Sequence, residues 1–190
     1  MKNIKDLGIT TEEGFEVKNL KRFPSMEWGE EGGLEADLYY KGDKILTLYQ
    51  EGNGGCATTY MTEKGNCILG EIRNAGLTFL KRVDEDYSGQ GKYAHLFANI
   101  TVQNFRDDEW ESLINNIEER YDMVKQVKKS FKKGFKTVVA CMSKYQFDYL
   151  QYKADNITQK EVDEYFNKSK IENKYSKFII FNQQTNLARY

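Results

Sequence analysis

With 190 residues and 28 Lys+Arg against 29 Asp+Glu, the chain can bury one sizeable core, and its near-neutral total charge gives no global case for a nucleic-acid binder. Hydrophobic residues make up 39% and aromatics 14%, including 13 Tyr and 11 Phe, which excludes a disordered polymer. The single proline, Pro24, excludes a proline-rich linker, and one domain over residues 1–190 is expected, at most with a small annex.

No apolar run is long enough to span a bilayer, and Met1-Lys2-Asn3-Ile4-Lys5-Asp6 lacks the apolar centre of a signal peptide, so a cytoplasmic protein with no membrane partner is expected. Cys56, Cys67 and Cys141 are an odd number without Cys-x-x-Cys spacing, which fits a reducing compartment. Charge shifts along the chain. Residues 1–95 carry 12 Lys+Arg against 16 Asp+Glu, net −4, and residues 96–190 carry 16 against 13, net +3.

In chain order, Asp37 to Tyr40 and Lys44 to Glu51 form a hairpin around Lys41-Gly42-Asp43-Lys44, with Leu38 and Tyr40 on one face and Ile45, Thr47 and Tyr49 alternating with Leu46, Leu48 and Gln50. From Asn66, a suitable N-cap, Ile68, Leu69, Ile72, Ala75, Phe79, Leu80 and Val83 recur at helical spacing as far as Asp84-Glu85-Asp86. Tyr93 to Val102 has no decisive period. The strongest helix begins at Asp107 or Asp108 and runs to Lys133, with Gly134 in the C′ position and Trp110, Leu113, Ile114, Ile117, Tyr121, Val124, Val127 and Phe131 inward.

Phe135 to Met142 then predicts a buried strand containing Cys141, and Lys144 to Lys153 a second strand with Tyr145, Phe147 and Tyr149 on one face. Thr158-Gln159-Lys160-Glu161 is a capping box opening a short helix through Val162, Tyr165 and Phe166, and Tyr175 to Phe181 closes as a strand. Hairpin, helices, then strand, helix and strand predict an α+β domain, a mostly antiparallel sheet with helices on one face.

Two groups of residues are candidate binding sites. Gly52-Asn53-Gly54-Gly55 follows a strand directly, and glycine can take positive φ and aim successive N–H groups into one concavity that suits an anion. A tight structural corner, with at least one positive φ, is the commoner use of such glycines. Lys125, Lys129, Lys132, Lys133 and Lys136 form a stripe at three- and four-residue steps that can hold phosphates; lysines late in a helix also complement its dipole, the favoured reading here. The Tyr145, Phe147, Tyr149 ladder can stack bases, though half-buried strand faces are commonly aromatic.

Catalytic chemistry finds little material. His95 is the only histidine, and neither Cys56 nor Cys67 has a basic partner nearby in sequence. Asp84, Glu85 and Asp86 are the one acidic run for a metal, and consecutive acids on a helix rarely converge on one ion. No catalytic residue, metal or cofactor is expected.

Asn19-Leu20-Lys21, Leu34-Glu35-Ala36-Asp37-Leu38-Tyr39-Tyr40, Gly42-Asp43-Lys44 and Glu51-Gly52-Asn53-Gly54-Gly55, with Phe135 to Cys141 and Ile179 to Asn186, give a layout that resembles small phage and mobile-element proteins without an assigned activity. The likeness touches most of the chain but is weakest over Ser88 to Phe105. It implies origin and size class rather than a catalytic residue. The expectation is a small binding protein, concretely a stoichiometric inhibitor of a host defence factor. The alternative is a nucleotide or single-strand nucleic-acid binder using the glycine loop and lysine stripe. A metal-dependent phosphoester enzyme comes third.

Overall fold

In strand β2 (Gly33–Tyr40) every second side chain, Leu34, Ala36, Leu38 and Tyr40, is buried, and these four fix the inner face of a four-stranded sheet. The computed structural model describes residues 7–23, 32–52, 56–87, 99–142, 147–155, 157–169 and 177–182. The chain divides into two compact units, one of residues 1–81, 99–121 and 188–190, the other of residues 82–98 and 122–187.

In the first unit, β1 (Phe15–Phe23), β2, β3 (Asp43–Gln50) and β4 (Thr58–Met61) form an antiparallel meander in chain order. The β2–β3 loop is only Lys41-Gly42, both with positive φ (50° and 89°), as a tight primed hairpin turn demands. Beyond the predicted hairpin, β4 is an unforeseen strand. Its four residues carry no apolar alternation, and only pairing with β3 defines it.

The predicted helix start at Asn66 moves upstream. Thr62 is the N-cap, its Oγ1 accepting from Gly65 N at 3.0 Å, and the helical stretch breaks at Ile68 into α1 (Glu63–Cys67) and α2 (Leu69–Tyr87). Thr62 wins because its hydroxyl also donates toward the Lys44 and Ile45 carbonyls, which ties the cap to β3. Helix α3 (Asp107–Lys132) starts where predicted. Its early residues Trp110, Leu113, Ile114 and Ile117 are buried, and the Trp110 ring meets Phe105 at 4.5 Å and Phe15 at 6.4 Å between centroids. Each such ring contributes roughly 1.5–3 kcal/mol by leaving water. Residues 93–98 of the Tyr93–Val102 stretch lie outside the described residues, but Phe105, just after it, is fully buried.

In the second unit, β6 (Phe147–Tyr152), β5 (Thr137–Met142) and β7 (Lys177–Asn182) form an antiparallel sheet with β5 in the centre. All of Val138, Val139, Ala140 and Cys141 are buried, so both faces need cover. Val162 of α4 (Gln159–Ser169) packs with Val139 and Cys141, while on the alternate face Gln151 Nε2 donates to Ser130 Oγ of α3 at 2.8 Å. The α+β class and antiparallel strands stand as expected; the strands make two sheets, and in this unit helices meet both faces. The Thr158 capping box is formed, Thr158 N donating to Glu161 Oε2 at 2.8 Å and Glu161 N to Thr158 Oγ1 at 3.3 Å. Tyr165, expected inward, is 47% exposed.

A largely buried polar contact ties the first sheet to α3. Arg22 of β1 donates from Nη2 to Glu118 Oε2 at 2.6 Å and to Asn115 Oδ1 at 2.6 Å, with both charged side chains largely buried. Removing one partner of such a pair strands the other charge, whereas removing both does not. Arg22→Ala is therefore expected to lower stability by about 2–3 kcal/mol in urea unfolding, more than the double change Arg22→Met with Glu118→Leu. Equal losses in the single and double variants would contradict this.

Candidate functional site

The alternation that turns Leu34, Ala36, Leu38 and Tyr40 inward turns Glu35, Asp37 and Tyr39 outward. Strand register carries two outward rows across all four strands: Lys18, Asp37, Thr47 and Tyr60 in one, and Lys21, Glu35, Tyr49 and Thr58 in the other. At the row centre Asp37 is buried to 9% exposure. Its Oδ1 accepts from Thr47 Oγ1 and Lys44 Nζ, each at 2.7 Å, and its Oδ2 from Asn19 Nδ2 at 2.8 Å. Asn19 reaches it because β1 bulges between Lys18 and Lys21, with Asn19 in the left-handed region at φ 52°, a conformation asparagine tolerates well.

Burial alone would raise the Asp37 pKa, but hydrogen bonds from Lys44, Asn19 and Thr47, with the Lys44 charge, outweigh it and hold the carboxyl below its ordinary value. With both oxygens engaged and its proton affinity lowered, Asp37 is a poor general base. The surrounding charges also satisfy one another: Lys21 Nζ lies 2.8 Å from Glu35, and Lys18 Nζ lies 3.3 Å from Glu16 and 4.3 Å from the Tyr39 ring centroid.

Rings occupy the β3–β4 side. Phe23 stacks on Tyr49 with centroids 5.8 Å apart, and Tyr49 and Tyr60 are 37% and 62% exposed. This face can offer aromatic contact area and hydroxyl hydrogen bonds without desolvating an unpaired charge. The outward row was readable as the alternate face of Leu46 and Leu48, but its continuity across four strands depends on register that one strand does not reveal.

The predicted glycine loop is in part a corner. Gly52 is buried with φ 77°, and a Cβ there would stand 2.4 Å from Gly33 N and 2.6 Å from Gly32 C. Backbone approaches backbone, so no side chain fits. Asn53, Gly54 and Gly55 lie outside the described residues.

At the predicted lysine stripe, Lys125, Lys129, Lys132 and Lys133 are exposed, as is Lys128, while Met123, Val124, Val127 and Ser130 are buried on the other side of α3. Lys136 stands apart from them. The helix ends in a C-cap where Gly134 has φ 88°, Gly134 N donates to Phe131 O and Phe135 N to Ser130 O, and Lys136 Nζ pairs with Asp155 at 2.6 Å. Of the aromatic ladder, Tyr149 is half-buried, and its hydroxyl pKa is pushed up to about 12 by burial and by the negative charges of Asp122 and Asp148. That is a packed ring, not a stacking platform. Tyr145 and the Phe147 side chain lie outside the described residues.

Cys56 and Cys67 are exposed and Cys141 is buried, as a core hydrophobe should be; His95 and the side chains of Asp84, Glu85 and Asp86 lie outside the described residues. Among the described residues, no group of three or more His, Cys, Asp or Glu side chains is placed to hold a metal ion, and no helix is long and apolar enough to cross a membrane.

Two outcomes test this geometry. Gly52→Val is expected to cost roughly 1–3 kcal/mol, read as a lower thermal midpoint, because the new side chain meets backbone and the left-handed φ is strained; an unchanged midpoint would remove the corner. Asp37, with its folded-state pKa below the unfolded one, stabilises the fold above its unfolded pKa and loses that contribution as pH falls through the folded value. Asp37→Asn is thus expected to cost on the order of 1–3 kcal/mol at neutral pH through lost charge-assisted hydrogen bonds, with the gap to wild type narrowing below about pH 4. A gap independent of pH would mean that the charge plays no part.

Compared with protein-family models, with curated proteins and with solved structures, the chain matches none of them.

Proposed function

We propose that this chain is a stoichiometric binding protein that docks a partner protein on the open face of β1–β4, with Tyr49, Tyr60 and the Phe23–Tyr49 stack as anchors. The observation that supports this reading most is the pairing of exposed rings with charges that neutralise one another on the same sheet face. Tyrosine rings supply large contact area at small entropic cost and are enriched where interfaces concentrate their energy. A phosphate polymer would gain little from lysines already held by carboxylates.

Charge narrows the partner further. The first unit carries 13 Lys+Arg against 19 Asp+Glu, net −6, so a partner surface with basic residues around an apolar centre is favoured by long-range attraction. The concrete form is an inhibitor of a host factor, a defence protein of the cell that a phage or mobile element enters. That part rests on the sequence resemblance.

The test combines capture and titration. Host protein captured by the immobilised wild type is purified and titrated against wild type and against Tyr49→Ala/Tyr60→Ala. A 1:1 complex is expected, with the double variant at least about thirtyfold weaker, the loss of roughly 2 kcal/mol typical of an aromatic anchor, while its thermal midpoint is unchanged. Equal affinity of a folded double variant would rule out this face.

A further inference from the structure

A second surface, on the other unit, fits a different class of partner. The second unit carries 15 Lys+Arg against 10 Asp+Glu, net +5, in a chain whose total is −1. Much of that excess stands on one side of α3. Lys125, Lys128, Lys129, Lys132 and Lys133 are exposed there, opposite the buried Val124, Val127 and Ser130.

Two observations bear on this group. Six lysines elsewhere sit against carboxylates, Lys18 on Glu16, Lys21 on Glu35, Lys41 on Glu71, Lys44 on Asp37, Lys64 on Asp43 and Lys136 on Asp155, whereas among the described residues exposed Lys81, Lys153 and Lys160 do not. Among the described residues, no carboxylate is paired with Lys128, Lys129, Lys132 or Lys133. Helix-dipole complementarity does not account for all of them, since its effect fades within the last turn, and Lys125 and Lys128 lie before that turn. Like charges three and four residues apart also repel, so the cluster is held together at a cost to the helix.

We propose that this face of α3 binds the phosphodiester backbone of nucleic acid, without sequence preference. From Lys125 to Lys133 the helix rises roughly 12 Å, a length that spans about three or four phosphates of one strand. A membrane surface is a poorer fit, because firm attachment needs apolar side chains beside the lysines. The exposed large hydrophobic residues among those described, Tyr49, Tyr60 and Tyr165, all lie outside α3. Among the described residues no exposed aromatic ring stands on α3, where Phe131 is half-buried, so backbone charge rather than base stacking is the recognised feature.

Fluorescence anisotropy with labelled 20-nucleotide single strands and duplexes of mixed sequence, on the full chain at 50 and 150 mM salt, tests this. Binding to both probes is expected, with little dependence on sequence and a slope of log K against log salt near −3 to −4, as four lysines on phosphates give. Lys129→Glu/Lys133→Glu should weaken binding at least tenfold at 50 mM salt and flatten the slope by about 2. Lys129→Gln/Lys133→Gln, which avoids new repulsion within the helix, should weaken it in the same direction with the circular dichroism spectrum unchanged. Tyr49→Ala/Tyr60→Ala should bind as wild type does, which keeps this outcome separate from that of the sheet face. Absence of binding at 50 mM salt, equal binding by the folded Gln variant, loss in the tyrosine variant, or binding to phosphatidylserine vesicles but not to oligonucleotides would each overturn the proposal.

Discussion

Burial of alternate residues along β2 is the constraint on which the first unit depends. Leu34, Ala36, Leu38 and Tyr40 can all face the core in only one register, since a slip by one residue would drive Glu35, Asp37 and Tyr39 inward. The same register sets Asp37 beside Thr47 and Lys18, and Tyr49 beside Glu35 and Thr58. The composition of the open face is thus a by-product of packing on the opposite one. A mutation in the core row can rearrange the open face without touching a residue on it.

Local signals were the legible ones. The acids at Asp107 and Asp108, the left-handed Gly134, the Thr158–Glu161 box and the Lys41-Gly42 turn each act within a few residues, and each appears where the chain pattern places it. What depended on distant partners was not legible. β4 has no periodicity of its own, Thr62 outcompetes Asn66 because β3 lies against it, and the number of sheets follows from which strand edges meet. Tyr165 shows the limit of helical spacing on a short helix, since three residues after the buried Val162 it stands 47% exposed.

The candidate surfaces divide along the same line. Spacing alone located the lysine group, but that Lys128, Lys129, Lys132 and Lys133 have no carboxylate partner among the described residues, whereas Lys18, Lys21 and Lys44 of the first sheet do, is a property of tertiary structure. Asp37 offered no sequence signal beyond its place on an outward row; its three partners converge from β1 and β3. Gly52 was singled out for its backbone, and backbone is what it meets. The two units carry opposite net charge, so salt would act on them in opposite senses toward any one charged partner.

The bulge at Asn19 bears on how the protein behaves in a crowded solution. β1 is a nine-residue strand at the border of its sheet, and a flat border of that length would template pairing with a second copy. Its first half is shielded by the preceding segment, Leu7 N donating to Val17 O at 3.1 Å and Thr11 N to Phe15 O at 2.9 Å. Beyond Val17 the left-handed Asn19 twists the strand, and Lys18 and Lys21 place charge along the remainder. A border blunted in this way lets the chain reach high concentration without self-assembly into β-linked aggregates, which the stoichiometric binding proposed above would require.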